Sequence, residues 1–146
     1  MNIHWKSFFA GLCSLWLVGC GPAAKDDTIR IAVIPKGTTH EFWQSIHAGA
    51  RKAEKELTAQ GKSVEIIWKG PLKEDDRDQQ MGLVESFTVK GVDGIVLAPL
   101  DAKALVRPVE SAQKSGIPVV IIDSGLETTN YVSFVATDNL KGGEMA

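Results

Sequence analysis

Cysteine is confined to the first 20 residues: the chain has two, Cys13 and Cys20. The body that follows therefore has no disulfide and no cysteine-ligated metal. A core of this size holds without such crosslinks. Beyond the N-terminus no apolar run reaches the roughly 20 residues that a spanning helix needs. Positive charge is not in excess either: 16 Lys and Arg face 18 Asp and Glu, a formal net charge of -2. No basic surface is offered to a phosphate backbone, so no nucleic-acid partner is expected. Neither G-x-x-x-x-G-K-[ST] nor G-x-G-x-x-G occurs, which removes the common nucleotide and dinucleotide cradles. His40 and His47 are near each other in sequence but have no evident third ligand, so no metal is expected. No nucleophile, base and orienting group can be grouped, and the rim aspartates have no paired acid. Neither an enzyme nor a cofactor is expected.

What is present begins with an address. Lys6 precedes an apolar run from Phe8 to Val18, about 11 residues and so the size of a signal-peptide core. The run ends in Leu17-Val18-Gly19-Cys20, which resembles a bacterial lipobox: a branched residue, a permissive one, a small one, and the cysteine that takes lipid. The boundaries expected are a signal peptide over 1–19, a lipidated tether over 20–28 attached through Cys20, and one folded unit over 29–146. The 146 residues, 44% of them hydrophobic, suit a single domain.

From Ile29 onward strand and helix patterns alternate. Ile29 to Ile34 predicts a strand stopped by Pro35. Thr38 with Glu41 fits a capping box, and Phe42, Ile46, Ala50, Ala53 and Leu57 mark one helical stripe ended by Gly61. Val64 to Trp68 predicts a second strand. A helix follows from about Asp75 to Val89, with Met81, Val84 and Phe87 inward and Gly91 closing it. Gly94 to Ala98 is a third strand and Asp101 to Ser115 a third helix, kinked or broken in its first turn by Pro108. Val119 to Ile122 and Tyr131 to Ala136 are further strands, and Asp138 caps another helix. Strands separated by helices build βαβ units. The apolar runs Ile95-Val96-Leu97 and Val119-Val120-Ile121-Ile122 suit central parallel strands. The fold class is α/β, an open parallel doubly wound sheet of flavodoxin-like form, with helices on both faces.

In such a sheet ligands bind at the carboxyl ends of the strands. Those ends deliver Lys36 to Trp43, Lys69-Gly70, Pro99 to Asp101, Asp123 to Gly125, and Thr137 to Asn139. Carboxylates, amides, hydroxyls and two aromatics suit a hydroxyl-rich ligand: carboxylates accept from hydroxyls, and an aromatic face covers the apolar face of a sugar ring. Phe42 and Trp43 are adjacent helical positions about 100° apart, so at most one fits the buried stripe squarely. Asp138 is open to two readings, helix cap or ligand contact.

The stretches Ile31 to Ala50, Gly91-Val92-Asp93-Gly94-Ile95-Val96-Leu97-Ala98-Pro99, Ser115 to Asp123, and Val135 to Asn139 with Gly142-Gly143 resemble the type I periplasmic binding proteins of the ribose and galactose group. That group shares its fold with the ligand domains of LacI-type repressors. The resemblance covers nearly all of the chain after the leader. It implies a two-lobed protein about twice this length, of which this is the first lobe with the second missing. Together with the lipobox it implies an extracytoplasmic lipoprotein, in the periplasm or on the cell surface, that captures a small polar ligand, a sugar, for an ABC permease. A sensor feeding a receptor would share the same residues. The family's ligand contacts fall on His40, Phe42, Trp43 and Asp123 here, with Asp138 as a further candidate. Ribose binders carry Asn-Pro after strand one and again after strand three; this chain has His40-Glu41 and Ala98-Pro99.

Overall fold

β-Branched residues dominate the first strand, β1 (Ile29–Ile34), and Pro35 ends it by removing a ladder donor. The computed structural model describes residues 26–145; the expected leader 1–19 and Cys20 lie outside the described residues. After β1 come α1 (Glu41–Ala59), β2 (Val64–Trp68), α2 (Arg77–Lys90), β3 (Gly94–Leu97), α3 (Val106–Lys114), β4 (Val119–Ile122), β5 (Ser133–Val135) and α4 (Asn139–Glu144). All strand pairs are parallel, in the order β2-β1-β3-β4-β5. This is the flavodoxin-like order, with its switch point between β1 and β3. The α/β class and the parallel open sheet are as the alternation predicts.

Register decides which side chains share a face. Ala32 pairs with Ile95 and Ile34 with Leu97, and these continue to Val119 and Ile121. All six are buried and form one cluster with Val84, Phe87, Leu105, Val109 and Ala112 from the α2–α3 layer. Each such burial is worth about 1.5–3 kcal/mol for a Val, Leu, Ile or Phe side chain.

The opposite face is covered less evenly. α1 packs over β2, and His47 stacks on Trp68 with ring centroids 4.5 Å apart. Over β4 and β5 the same face stays open: Val120 and Ile122 are half-buried, and Val135 is 59% exposed. Helices on both faces is therefore correct for the sheet as a whole, but among the described residues the α1 face is covered only on the β1–β2 side.

Three local expectations change. Thr38 does not cap α1. Its hydroxyl donates to the Pro71 carbonyl at 3.2 Å, and the cap is His40, whose Nδ1 accepts from the Phe42 N–H at 3.1 Å. The α1 stripe turns by one residue at its start: Trp43 is buried, and Phe42 is 46% exposed. The third helix begins at Val106, not at Asp101. Residues 101–105 instead form a turn in which the Asp101 carboxylate accepts from the Lys103 and Ala104 N–H groups, both at 2.8 Å. Pro108 thus falls in the first helical turn, where its missing donor has no intrahelical partner to lose.

Candidate ligand site at the carboxyl edge of the sheet

The carboxyl ends of β1 and β4 both flank β3, and their extensions meet over it. Lys36 follows Pro35 at the end of β1. Asp123 follows β4 in a left-handed conformation, φ 64°, which aspartate tolerates better than most residues. The Lys36 Nζ donates to Asp123 Oδ2 at 2.8 Å and to Ser124 Oγ at 2.5 Å. The Ser124 hydroxyl in turn donates to the same Oδ2, at 2.8 Å. Burial alone would raise the Asp123 pKa, but the hydrogen bonds from Lys36 and Ser124, with the Lys36 charge, outweigh it and hold the carboxyl below its ordinary value. Asp123 is thus an ionised acceptor. Oδ2 is committed to protein donors, and among the described residues Oδ1 accepts from none. The third N–H of Lys36 is left as a donor beside it.

Around this pair lies an open cavity of about 350 Å3 lined by Lys36, His40, Phe42, Trp43, Glu74 and Asp123. Its size falls within the range of small-molecule sites. Because His40 Nδ1 is occupied as an acceptor, Nε2 is the ring nitrogen left to donate. Phe42 presents an exposed ring, with Trp43 edge-on to it at 4.9 Å and 79°. Phe42 and Asp123 also border a second groove of about 480 Å3 with Ile46, Ile122 and Val135, which opens onto the uncovered part of the sheet.

Of the residues expected from sequence, His40, Phe42, Trp43 and Asp123 come together. Trp43 is only 2% exposed, so in this conformation Phe42 offers the accessible aromatic face. Asp138 does not join them. It accepts from the Lys141 N–H at 3.0 Å and caps α4, the first of its two readings.

The sequence approach missed Lys36, Glu74 and Ser124. Lys36 and Ser124 stood within the strand-end segments, but nothing in the sequence pairs residues 88 positions apart. Gln80 was also missed. It is fully buried, donates to the Pro35 and Ala98 carbonyls at 3.0 and 2.8 Å, and accepts from the Leu100 N–H at 2.8 Å. It ties the ends of β1 and β3 together beneath the rim. Among the described residues no group of three or more His, Cys, Asp or Glu is placed to hold a metal ion.

The rim residues lie at the switch point of an open flavodoxin-like parallel sheet, the place where α/β domains of that architecture bind ligands. A family model described as the periplasmic binding protein domain matches residues 31–146. The chain belongs to that family, which places it in the periplasm. It is 36% identical over 122 residues to the D-ribose/D-allose-binding protein of Pseudomonas aeruginosa, an alignment covering 80% of this chain and 37% of that protein. It is 31% identical over 137 residues to the xylitol-binding protein of Mycolicibacterium smegmatis, covering 92% and 37% of the two. Among solved structures, a carbohydrate transporter solute-binding protein of Agrobacterium radiobacter in complex with D-arabinose superposes with a TM-score of 0.73 at 37% identity, covering 81% of this chain and 38% of that one. An Agrobacterium vitis ABC transporter solute-binding protein with bound D-fucose gives 0.70 at 39% identity, covering 80% and 40%. The chain thus spans well under half the length of these relatives.

Proposed function

We propose that this chain is the first lobe of a two-lobed solute-binding protein that captures a small neutral sugar or polyol for an ABC importer. The observation that carries the reading is the Asp123 site. An ionised carboxylate, one oxygen of which has no donor among the described residues, stands beside a lysine donor, and an exposed aromatic ring borders the same cavity. A vicinal diol complements that arrangement: one hydroxyl donates to Oδ1 and its neighbour accepts from Nζ, while the ring's C–H face lies against Phe42. The relatives named for ribose, allose and xylitol, and the arabinose and fucose complexes, support a ligand of this class. The protein works by binding, without chemical turnover. A second lobe closes over the ligand by a hinge motion.

Calorimetry of the full-length gene product with D-ribose, D-allose, D-arabinose, D-fucose and xylitol tests the reading. Stoichiometric binding of at least one, without turnover, is expected; no heat from any of them, with the protein folded and free of co-purified solute by native mass spectrometry, refutes it.

The Leu17-Val18-Gly19-Cys20 pattern supports a further part of the proposal, that Cys20 is lipidated and anchors the protein to the membrane. Several acyl chains at about 0.8 kcal/mol per buried methylene would make such an anchor effectively permanent. Labelling with a fatty-acid probe in a lipoprotein-processing bacterium should mark the wild type and not Cys20→Ser. Label persisting on the serine variant defeats the assignment.

A further inference from the structure

The loop between β2 and α2 lies against the loop between β1 and α1 at several points. Thr38 donates to the Pro71 carbonyl at 3.2 Å, and Thr39 to the Leu72 carbonyl at 3.3 Å. A Cβ added at Gly37 would stand 2.9 Å from Glu74 Cγ, with the Glu74 backbone nitrogen at an ordinary 3.6 Å, so a side chain at position 37 would push the Glu74 side chain from its place. Glu74 Oε1 accepts from the indole N–H of Trp43 at 2.7 Å. That bond satisfies the polar end of a ring only 2% exposed and fixes the ring about its own axis. Trp43 in turn meets Phe42 edge-on, at 4.9 Å. Glu74 also lines the cavity that holds Lys36, His40 and Asp123. One bond to the indole leaves its second oxygen, Oε2, without a protein partner among the described residues.

We propose that Glu74 is a further residue of the ligand site: through Oε1 it positions Trp43, and through Trp43 the exposed Phe42 ring, while Oε2 accepts a ligand hydroxyl across the cavity from Asp123. The ligand half rests on the binding function proposed above; the positioning half does not. With Asp123 and Glu74 as the two carboxylates and Lys36 as the lysine, the cavity is set up for hydroxyl donors and opposes an anionic ligand.

The test uses the full-length protein with Glu74→Gln and Glu74→Ala. The indole N–H resonance of Trp43, assigned by its disappearance in Trp43→Phe, reports the hydrogen bond directly. Affinities are measured by calorimetry with the sugar of the above panel that the wild type binds. In Glu74→Ala the resonance should move upfield, as expected for a lost acceptor. Affinity should fall about ten- to hundredfold, the range for losing a hydrogen bond to a charged group. Glu74→Gln retains an acceptor oxygen. It should hold the resonance near its wild-type position and lose less affinity than the alanine variant. A resonance unmoved in Glu74→Ala overturns the positioning role. A moved resonance with unchanged affinity overturns the ligand role. Should the wild type bind none of the panel, the sugar reading fails, and the indole resonance of the unliganded protein still decides whether Glu74 positions Trp43.

Discussion

Replacing Asp123 by asparagine keeps the side chain's shape but removes its charge and turns one acceptor oxygen into an NH2 donor. Asparagine matches the carboxylate in size and, like aspartate, accepts the left-handed backbone at this position, φ 64°. Alanine would add backbone strain of about 1–2 kcal/mol on top of the lost contacts, so asparagine is the cleaner probe. Two interactions change. The first is the pair with Lys36, whose side chains are 21% and 30% exposed. Solvent and salt screen a pair so placed, and its loss should cost the fold at most about 1 kcal/mol. The second is the charge-assisted bond to a ligand hydroxyl. Because Oδ2 is already committed to Lys36 and Ser124, only one such bond is at stake, worth about 1.5–3 kcal/mol. That corresponds to roughly one to two decades in Kd. Calorimetric titration and thermal unfolding of the same Asp123→Asn preparation should therefore show a large loss of affinity with a small loss of stability. Affinity within about twofold of wild type, a difference of under half a kcal/mol, would mean that Asp123 does not touch the ligand. A collapse in stability would mean that its role is structural.

Other outcomes follow from burial and charge. Trp43→Ala should destabilise the fold by about 3–5 kcal/mol, because Trp43 is only 2% exposed. Phe42→Ala, at 46% exposed, should instead spare stability and lower affinity by about 0.5–1.5 kcal/mol beyond the lost area. Urea unfolding and calorimetry on both variants separate the two cases, and equal stability losses would contradict the assigned burial. Gln80→Leu should strand the Leu100 N–H and the Pro35 and Ala98 carbonyls, at about 1–3 kcal/mol for each group left buried and unpaired. A urea midpoint equal to wild type would show that these groups find other partners. Lys36 and Ser124 hold the Asp123 carboxyl below its ordinary value in the folded state, so its stabilising contribution is complete above that ordinary value and fades as pH falls through the lower folded value. The stability gap between wild type and Asp123→Asn, followed by urea unfolding, should be constant from about pH 5 to 8 and shrink below about pH 4. A gap that widens on acidification would reverse the sign of the assigned shift.

The chain's own pattern specified the elements and their order. Runs such as Val119 to Ile122 are apolar on both faces, as only a central parallel strand requires, and the helical stripes with glycine stops leave little else for the segments between. The rim position of His40, Phe42, Trp43 and Asp123 followed from the rule that open sheets bind ligands at strand carboxyl ends, together with the family resemblance. Local competition was not legible. Thr38 was the expected cap of α1, but its hydroxyl bonds the Pro71 carbonyl and His40 caps the helix instead. Phe42 and Trp43 both could face inward, and Glu74 supplied the indole with an acceptor at 2.7 Å.

Sequence alone thus determined the α/β class and the strand ends at which chemistry gathers, because periodicity and turn residues act over a few positions. Only the tertiary structure brought Lys36 to Asp123, laid Glu74 on Gly37 and buried Gln80 beneath the rim. Each of those contacts joins groups tens of residues apart. Their energy depends on distance and burial, which exist only once strand order and register have been set.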